Sequence, residues 1–412
     1  MFQLFHDMLM KQTEKERGMR NQGWLLFVGL MFVAVTMSMC TNTPIKNEQA
    51  KENPQQTTEQ TQTEKPSSER ASTKEERTPT EQTSTVEPTS EPAAESVAES
   101  IPDVAPKESV VEKPPMPDTT PAPNVPVIGG CPIFPADNPW NTDISKQPVD
   151  PNSDALIASI GANTSLHPDF GTEWNGAPNG IPFVVVPAGQ KGVNVTFQYA
   201  DESDKGPYPV PKDAPIEGGP NGKGDRHVLV LQKTTCKLFE LFSAFPQADG
   251  SWKAGSGAIF DLNSNKLRPD KWTSADAAGL PILPGLVKYE EVMAGEIKHA
   301  LRFTVVRSRR AFVHPATHWA STRTDASLPP MGMRVRLKAN VDISGYSKIG
   351  QVIMRAMKKY GMFVADNGSN WYVSGAPHEK WDDDKLRDLK KLKGKDFEVV
   401  KMGKIYTPAN TP

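Results

Sequence analysis

The sequence predicts a mainly β domain, an antiparallel sandwich or irregular barrel with long loops, carrying a helical α+β C-terminal piece from about residue 345. Three observations predict it. Short runs with two-residue alternation, or with continuous apolar character, recur between residues 131 and 340. The segments between them are rich in Gly, Pro, Asn and Asp, as in "DESDKGPYPVPKDAPIEGGPNGKGD". No alternation of strand and helix patterns appears, which argues against a doubly wound parallel sheet.

The elements follow in order. "IPFVVVP" is a short, fully apolar run, and "VNVTFQYA", "RHVLVLQ", "KLFELFSAF", "EIKHALRFTVV" and "MRVRLKA" read as strands. In "SKIGQVIMRAMKKYG", Ser347 is placed as an N-cap, and Ile349, Val352, Ile353, Ala356, Met357 and Tyr360 form a stripe at helical spacing. Lys358 and Lys359 suit the last turn, and Gly361 suits the stop. "MFVADNGSNWYVSG" reads as two short strands around a turn. A second helix after "WDDD" would turn Leu386, Leu389 and Leu392 inward.

The 412-residue chain divides into three unlike segments. Residues 1–40 carry Lys11, Lys15, Arg17 and Arg20 ahead of "WLLFVGLMFVAVTMSMC", an apolar run short for a membrane span and suited to an export signal. Met19 is an alternative start. Residues 41–130 are rich in Thr, Glu, Pro, Ser and Lys and hold no aromatic residue. They cannot bury enough apolar surface to fold and read as a solvated tether, about 50 Å in root-mean-square span. Residues 131–412 hold seven of the eight tryptophans and all seven tyrosines, and form the folded domain. A net charge of -2 provides no footprint for nucleic acid.

The run ending at Cys40 resembles a bacterial lipoprotein signal, in which that cysteine becomes the lipidated first residue. Here Met39 and Met37 stand where that signal carries a small residue and Leu. The resemblance implies a membrane partner through an N-terminal lipid anchor at the cell envelope. An uncleaved signal anchor or ordinary secretion would equally export the domain. Cys131 and Cys236, the pair left in an exported domain, read as one disulfide joining the start of the domain to a central strand.

Candidate chemistry rests on ionisable residues at apolar positions. In "AGEIKHALRFTV", a strand reading puts His299 on one face with Ile297, Leu301 and Phe303, and Arg302 on the other with Glu296, Lys298 and Ala300. His227 shares a face with Leu229 and Leu231, just after Asp225 and Arg226, and Glu240 shares one with Leu238 and Phe242. Such groups are either paired in a satisfied core network or tuned for acid–base chemistry. "HPATH" spaces His314 and His318 for a metal only on a helix, and Pro315 interrupts it, so no metal site is expected. No Ser nucleophile elbow, phosphate-binding glycine loop or Cys nucleophile is present, and no cofactor is expected. Trp174, Trp272, Trp319 and Trp371, like Trp140, lie beside Asn, Asp, Ser or Thr, an arrangement suited either to sugar rings or to covering a sandwich end.

"CPIFPADNPWNTDIS", "WTSADAAGLPILPGLVKYEE", "GEIKHALRF" and "KKYGMFVADNGSNWYVSG" resemble a group of exported bacterial proteins with no assigned activity. "LPPMGMRVRL" followed by "VADNGS" is similar to the paired motifs of double-psi barrel proteins active on cell walls, and that similarity implies a catalytic role for Asp366. Met333 replaces the motif's Thr, and a helix separates its two halves. The expectation is therefore an exported, lipid-anchored domain acting on an extracellular or wall glycan as hydrolase or lyase. Glu240 would be the acid/base, with His299, His227, Asp225 and Asp366 in supporting or catalytic roles. The alternatives are a non-catalytic glycan-binding or adhesion domain and a structural envelope lipoprotein.

Overall fold

A computed structural model describes residues 125–411, all within one compact unit. The leader with Cys40, and residues 41–124 of the expected tether, lie outside the described residues, whereas its last residues are folded, Val125 being buried and Val127–Ile128 pairing with Cys131–Pro132. Ten strands carry the two main sheets. They are β1 (His167–Asp169), β2 (Phe183–Val186), β3 (Val228–Gln232), β4 (Lys237–Phe242), β5 (Ser256–Asp261), β6 (Leu301–Val305), β7 (Arg334–Leu337), β8 (Met362–Asn367), β9 (Tyr372–Ser374) and β10 (Phe397–Val399). The helices are α1 (Ser153–Ile160), α2 (Tyr289–Met293), α3 (Lys348–Lys359) and α4 (Asp383–Leu386).

One sheet has the order β5-β4-β3-β2 and the other β10-β7-β8-β6-β9-β1. The domain is mainly β, as the sequence predicts, but its sheets are mixed rather than antiparallel. β2 runs parallel to β3, β8 to β6, and β1 to β9. Long connections bridge these pairs. β7 and α3 both lie between β6 and β8, enough chain to return the next strand in the same direction.

The first sheet is covered on both faces, which explains the unbroken apolar run in β3. Leu229, Leu231, Leu238, Ala258 and Phe260 face the main core. Val228, Val230, Phe239 and Leu241 face a smaller core with Tyr208, Val210 and Trp252. Trp252 belongs to a three-stranded side sheet, in which Trp252–Ala254 runs parallel to Val195–Phe197.

The C-terminal piece follows its sequence closely. Ser347 Oγ accepts from the Gly350 N–H at 3.2 Å, and Ile349, Val352, Ile353, Ala356 and Met357 of α3 are buried. Gly361 ends the helix at φ +68°, where a Cβ would lie 2.3 Å from the Val335 carbonyl oxygen. Leu386, Leu389 and Leu392 are buried as expected. The strands of "MFVADNGSNWYVSG" do not pair with each other. They flank β6 instead, β8 parallel and β9 antiparallel.

Two further expectations change. "GEIKHA" is not strand: α2 ends at Met293, Gly295 takes φ +90°, and pairing begins only at Leu301, whose N–H donates to the Gly361 carbonyl at 3.0 Å. Cys236 lies in the turn between β3 and β4, not in a central strand, and forms the disulfide with Cys131.

That disulfide closes a loop of 105 residues, long enough for a stabilisation of about 2–4 kcal/mol through the unfolded chain. Replacing both cysteines by Ser is expected to lower unfolding stability by that amount in denaturant melts.

Candidate functional site

β6 brings the site together. Leu301, Phe303 and Val305 face the core, where Phe303 stacks on Trp371 with centroids 5.3 Å apart. Arg302 points the other way, yet that face is covered too, and Arg302 is only 3% exposed. A buried guanidinium needs a partner. Its Nη2 donates to Asp276 Oδ1 at 2.9 Å and its Nη1 to Ser374 Oγ at 2.6 Å. The antiparallel register sets Phe303 against Val373, so the next step places Ser374 beside Arg302. Ser374 in turn pairs with Asp169 of β1.

Asp276 arrives on a loop tied down at many points. Ser274 Oγ accepts from the Asp276 N–H and donates to the Leu280 carbonyl, while Ser256 Oγ donates to the Ser274 carbonyl. The same loop offers the Ala275 carbonyl to His227 Nε2 at 3.0 Å. His227 Nδ1 lies 2.6 Å from Glu217 Oε2. Both ring nitrogens therefore face oxygen acceptors, the arrangement of an imidazolium. Burial would lower the His227 pKa, but Glu217, aided by Asp225, raises it to about 9. Burial would raise the Glu217 carboxyl in turn, and His227 holds it below its usual range.

Two cations thus meet a larger number of carboxyls. Asp366 of β8 is half-buried and feels Asp276, Arg302, Asp225 and His227. Burial, reinforced by Asp276 and Asp225, raises its pKa to about 8. Asp169 keeps solvent contact, and desolvation and Glu217 push it up. Asp225 is exposed. Asp276 is 1% exposed, its Oδ2 has no partner among the described residues, and its pKa is raised by burial against the pull of Arg302. The result is an acidic recess whose inner charges are paired and whose outer carboxyls form no ion pair among the described residues.

The residues singled out by sequence fall in several places. His227, Asp225 and Asp366 converge on this recess. Glu240 lies behind it and is 0% exposed. Both its oxygens accept from the Ile282 N–H, at 3.0 and 2.9 Å, and Oε1 from the Leu283 N–H at 2.9 Å, fixing the helical turn Leu283–Gly285. Burial raises its pKa to about 7 despite these bonds. His299 stands apart. Nδ1 donates to the Ala300 carbonyl, and Nε2 lies 3.0 Å from both Lys288 Nζ and Glu291 Oε2, a satisfied core network.

The tryptophans also diverge. Trp371 is 0% exposed between Phe303 and Phe397, and its Nε1 donates to the Gly161 carbonyl, so no ligand reaches it. Trp272 is half-buried beneath the Arg268 guanidinium, and Trp319 stacks on Phe312. Trp174 is 68% exposed on a small hairpin whose Ala177 borders Gly219, two residues from Glu217. His314 and His318 turn to separate partners, Asp270 and the Ala277 carbonyl. Among the described residues no cluster of His, Cys, Asp or Glu could hold a metal ion, and no helix is long and apolar enough to cross a membrane.

Sequence reading missed Arg302, Asp276, Glu217, Asp169 and Ser374. The alternation that flagged His299 set Arg302 on the opposite face with Glu296, Lys298 and Ala300, where a cation drew no notice, and the others lie in loops or short strands without periodicity.

The network around His299 has a pH signature. Burial would raise the Glu291 carboxyl, but Lys288 and His299 lower it to about 2. A depressed carboxyl contributes stability above its unfolded pKa, lost as pH falls toward the folded value. Glu291→Gln is expected to destabilise the domain above pH ~4.5 and to lose the difference between variant and native protein as pH falls toward 2, measured by melts at stepped pH.

Comparison with family models, with curated proteins and with solved structures finds no match, so the chemistry of the recess rests on its own geometry.

Proposed function

We propose that the domain cleaves an extracellular or cell-wall glycan by acid-catalysed hydrolysis, with Asp366 as proton donor. This reading is carried by Asp366, a half-buried carboxyl that desolvation and the nearby Asp276 and Asp225 push up to about 8, with Asp225 itself exposed. A neutral carboxyl can give its proton to a glycosidic oxygen as the C–O bond breaks, the bonding pair leaving with that oxygen as a hydroxyl. The Asp225 carboxylate would offset the positive charge that develops on the sugar ring, or take a proton from the attacking water. Hydrolysis suits the site better than elimination, because Arg302 is already committed to Asp276 and Ser374 and is not free to neutralise a uronate.

In this reading the proton-donor role passes from Glu240 to Asp366. Glu240 is sealed, and its oxygens are occupied by backbone N–H groups. His227 and Glu217 act as a positioning pair that fixes the Ala275–Asp276 loop. The exposed Trp174 ring, on the hairpin beside the Glu217 loop, supplies a stacking surface for a sugar face. Export through the leader, a lipid anchor at Cys40 and the polar tether would hold the domain within reach of such a substrate. The exposure of Trp174 equally favours a second reading, a glycan-binding domain without turnover.

The test is release of reducing ends from a panel of wall and extracellular polysaccharides. Asp366→Asn is expected to lower kcat by roughly 10²–10⁴-fold with little change in KM. In the native enzyme kcat/KM should fall as pH rises through about 8, where Asp366 loses its proton. Trp174→Ala should raise KM and spare kcat. Undiminished turnover in Asp366→Asn would refute the assignment. Saturable glycan binding without product, weakened by Trp174→Ala and not by Asp366→Asn, would establish the binding reading.

A further inference from the structure

A second, separate cleft lies where β7, the end of α3 and the chain after β10 meet. Its volume is about 240 Å³, and Arg334, Phe363, Val313, Pro315 and Lys401 are among the residues that line it. That is smaller than a drug-sized pocket and suits a ligand of monosaccharide or amino-acid size.

Among the described residues no carboxylate lies within ion-pair distance of Arg334, in contrast to Arg302 and Arg336. Its Nε and Nη2 donate to the Tyr360 carbonyl at 2.8 and 2.5 Å, and Nη2 also donates to the Thr142 carbonyl at 3.0 Å. These bonds cap the C-terminus of α3 and account for three of its five N–H groups. Nη1 makes no hydrogen bond to the described residues, and Arg334 is part of the cleft wall. The Phe363 ring lies 4.7 Å beneath the guanidinium and fixes its plane. Burial lowers the Arg334 pKa to about 9, and Asp143 offsets this only in part. The second cation on the cleft wall, Lys401, is exposed and forms no ion pair among the described residues.

We propose that this cleft binds a small carboxylate-bearing molecule, its anionic group meeting Arg334 Nη1 and its apolar side lying against Val313 and Pro315. One fixed guanidinium with two free N–H groups and one nearby ammonium matches a monoanion. A phosphate dianion usually gathers more cations or backbone N–H groups. His314, also on the cleft wall, is engaged by Asp270 and adds no free charge. The proposal does not depend on the recess at Asp366, since Asp366, Asp276, Asp225, His227 and Arg302 do not line this cleft.

Isothermal titration of the full-length chain with D-glucuronate tests it, with D-glucose and inorganic phosphate as matched probes. Glucuronate is expected to bind saturably and glucose not to bind. Arg334→Lys and Lys401→Glu should each weaken glucuronate at least tenfold, and Asp366→Asn should leave it unchanged. Lys401→Glu changes only an exposed side chain, so it decides the matter if Arg334→Lys fails to fold. Absence of saturable binding, phosphate binding tighter than glucuronate, loss of binding in Asp366→Asn, or native affinity in Lys401→Glu would overturn the proposal.

Discussion

The buried pair between Arg302 and Asp276 is the interaction on which the functional end of this domain depends. Its two charges lie 2.9 Å apart on a strand and a loop that are otherwise unconnected in sequence. Both side chains are almost wholly inaccessible. Burying one of these charges alone would be strongly unfavourable, and removing one partner of such a pair typically costs about 3–5 kcal/mol. The pair therefore locks the 274–280 loop against the six-stranded sheet. That loop carries the Ala275 carbonyl, which orients His227, and His227 in turn holds Glu217. One ion pair thus sets the position of groups from both main sheets and from two loops.

The same pair governs protonation. Among the described residues the buried cations acting on Asp366 are Arg302 and His227, and each is already matched by its own carboxylate. A further carboxyl entering this recess meets little uncompensated positive charge and loses much of its hydration. Its neutral form is favoured, and Asp366 rises far above the ordinary range while Glu217, with a cation to itself, falls below it. Two carboxyls that both feel His227 and Arg302 are thereby driven in opposite directions, the condition under which one can donate a proton and another remain charged.

Much of the fold was legible because its signals are local. Helix α3 has its cap, its stripe and its terminal glycine within one stretch, and β3 and β4 have apolar runs bounded by turn residues. Strand direction was not legible, since parallel pairing depends on long connections rather than on any residue in the strand. The site was half legible. His227 and Glu240 stood out as ionisable groups on apolar faces, and both do occupy the same side of their sheet. His299 stood out for the same reason, yet it precedes the strand and serves a different network. Arg302 was hidden because alternation reveals that a strand has two faces but not that both are buried. Asp276, Glu217 and Asp225 are placed by loops whose course is set by tertiary contacts.

The central claim is that Asp366 holds its proton at neutral pH. The direct measurement is a pH titration of the side-chain carboxyl by carbon-13 NMR in the folded protein, with Asp366 assigned by loss of its signal in Asp366→Asn. The account predicts a midpoint near 8, far above the usual aspartate range. A midpoint near 4 would contradict it, because Asp366 would then be ionised at neutral pH and could not act as the acid.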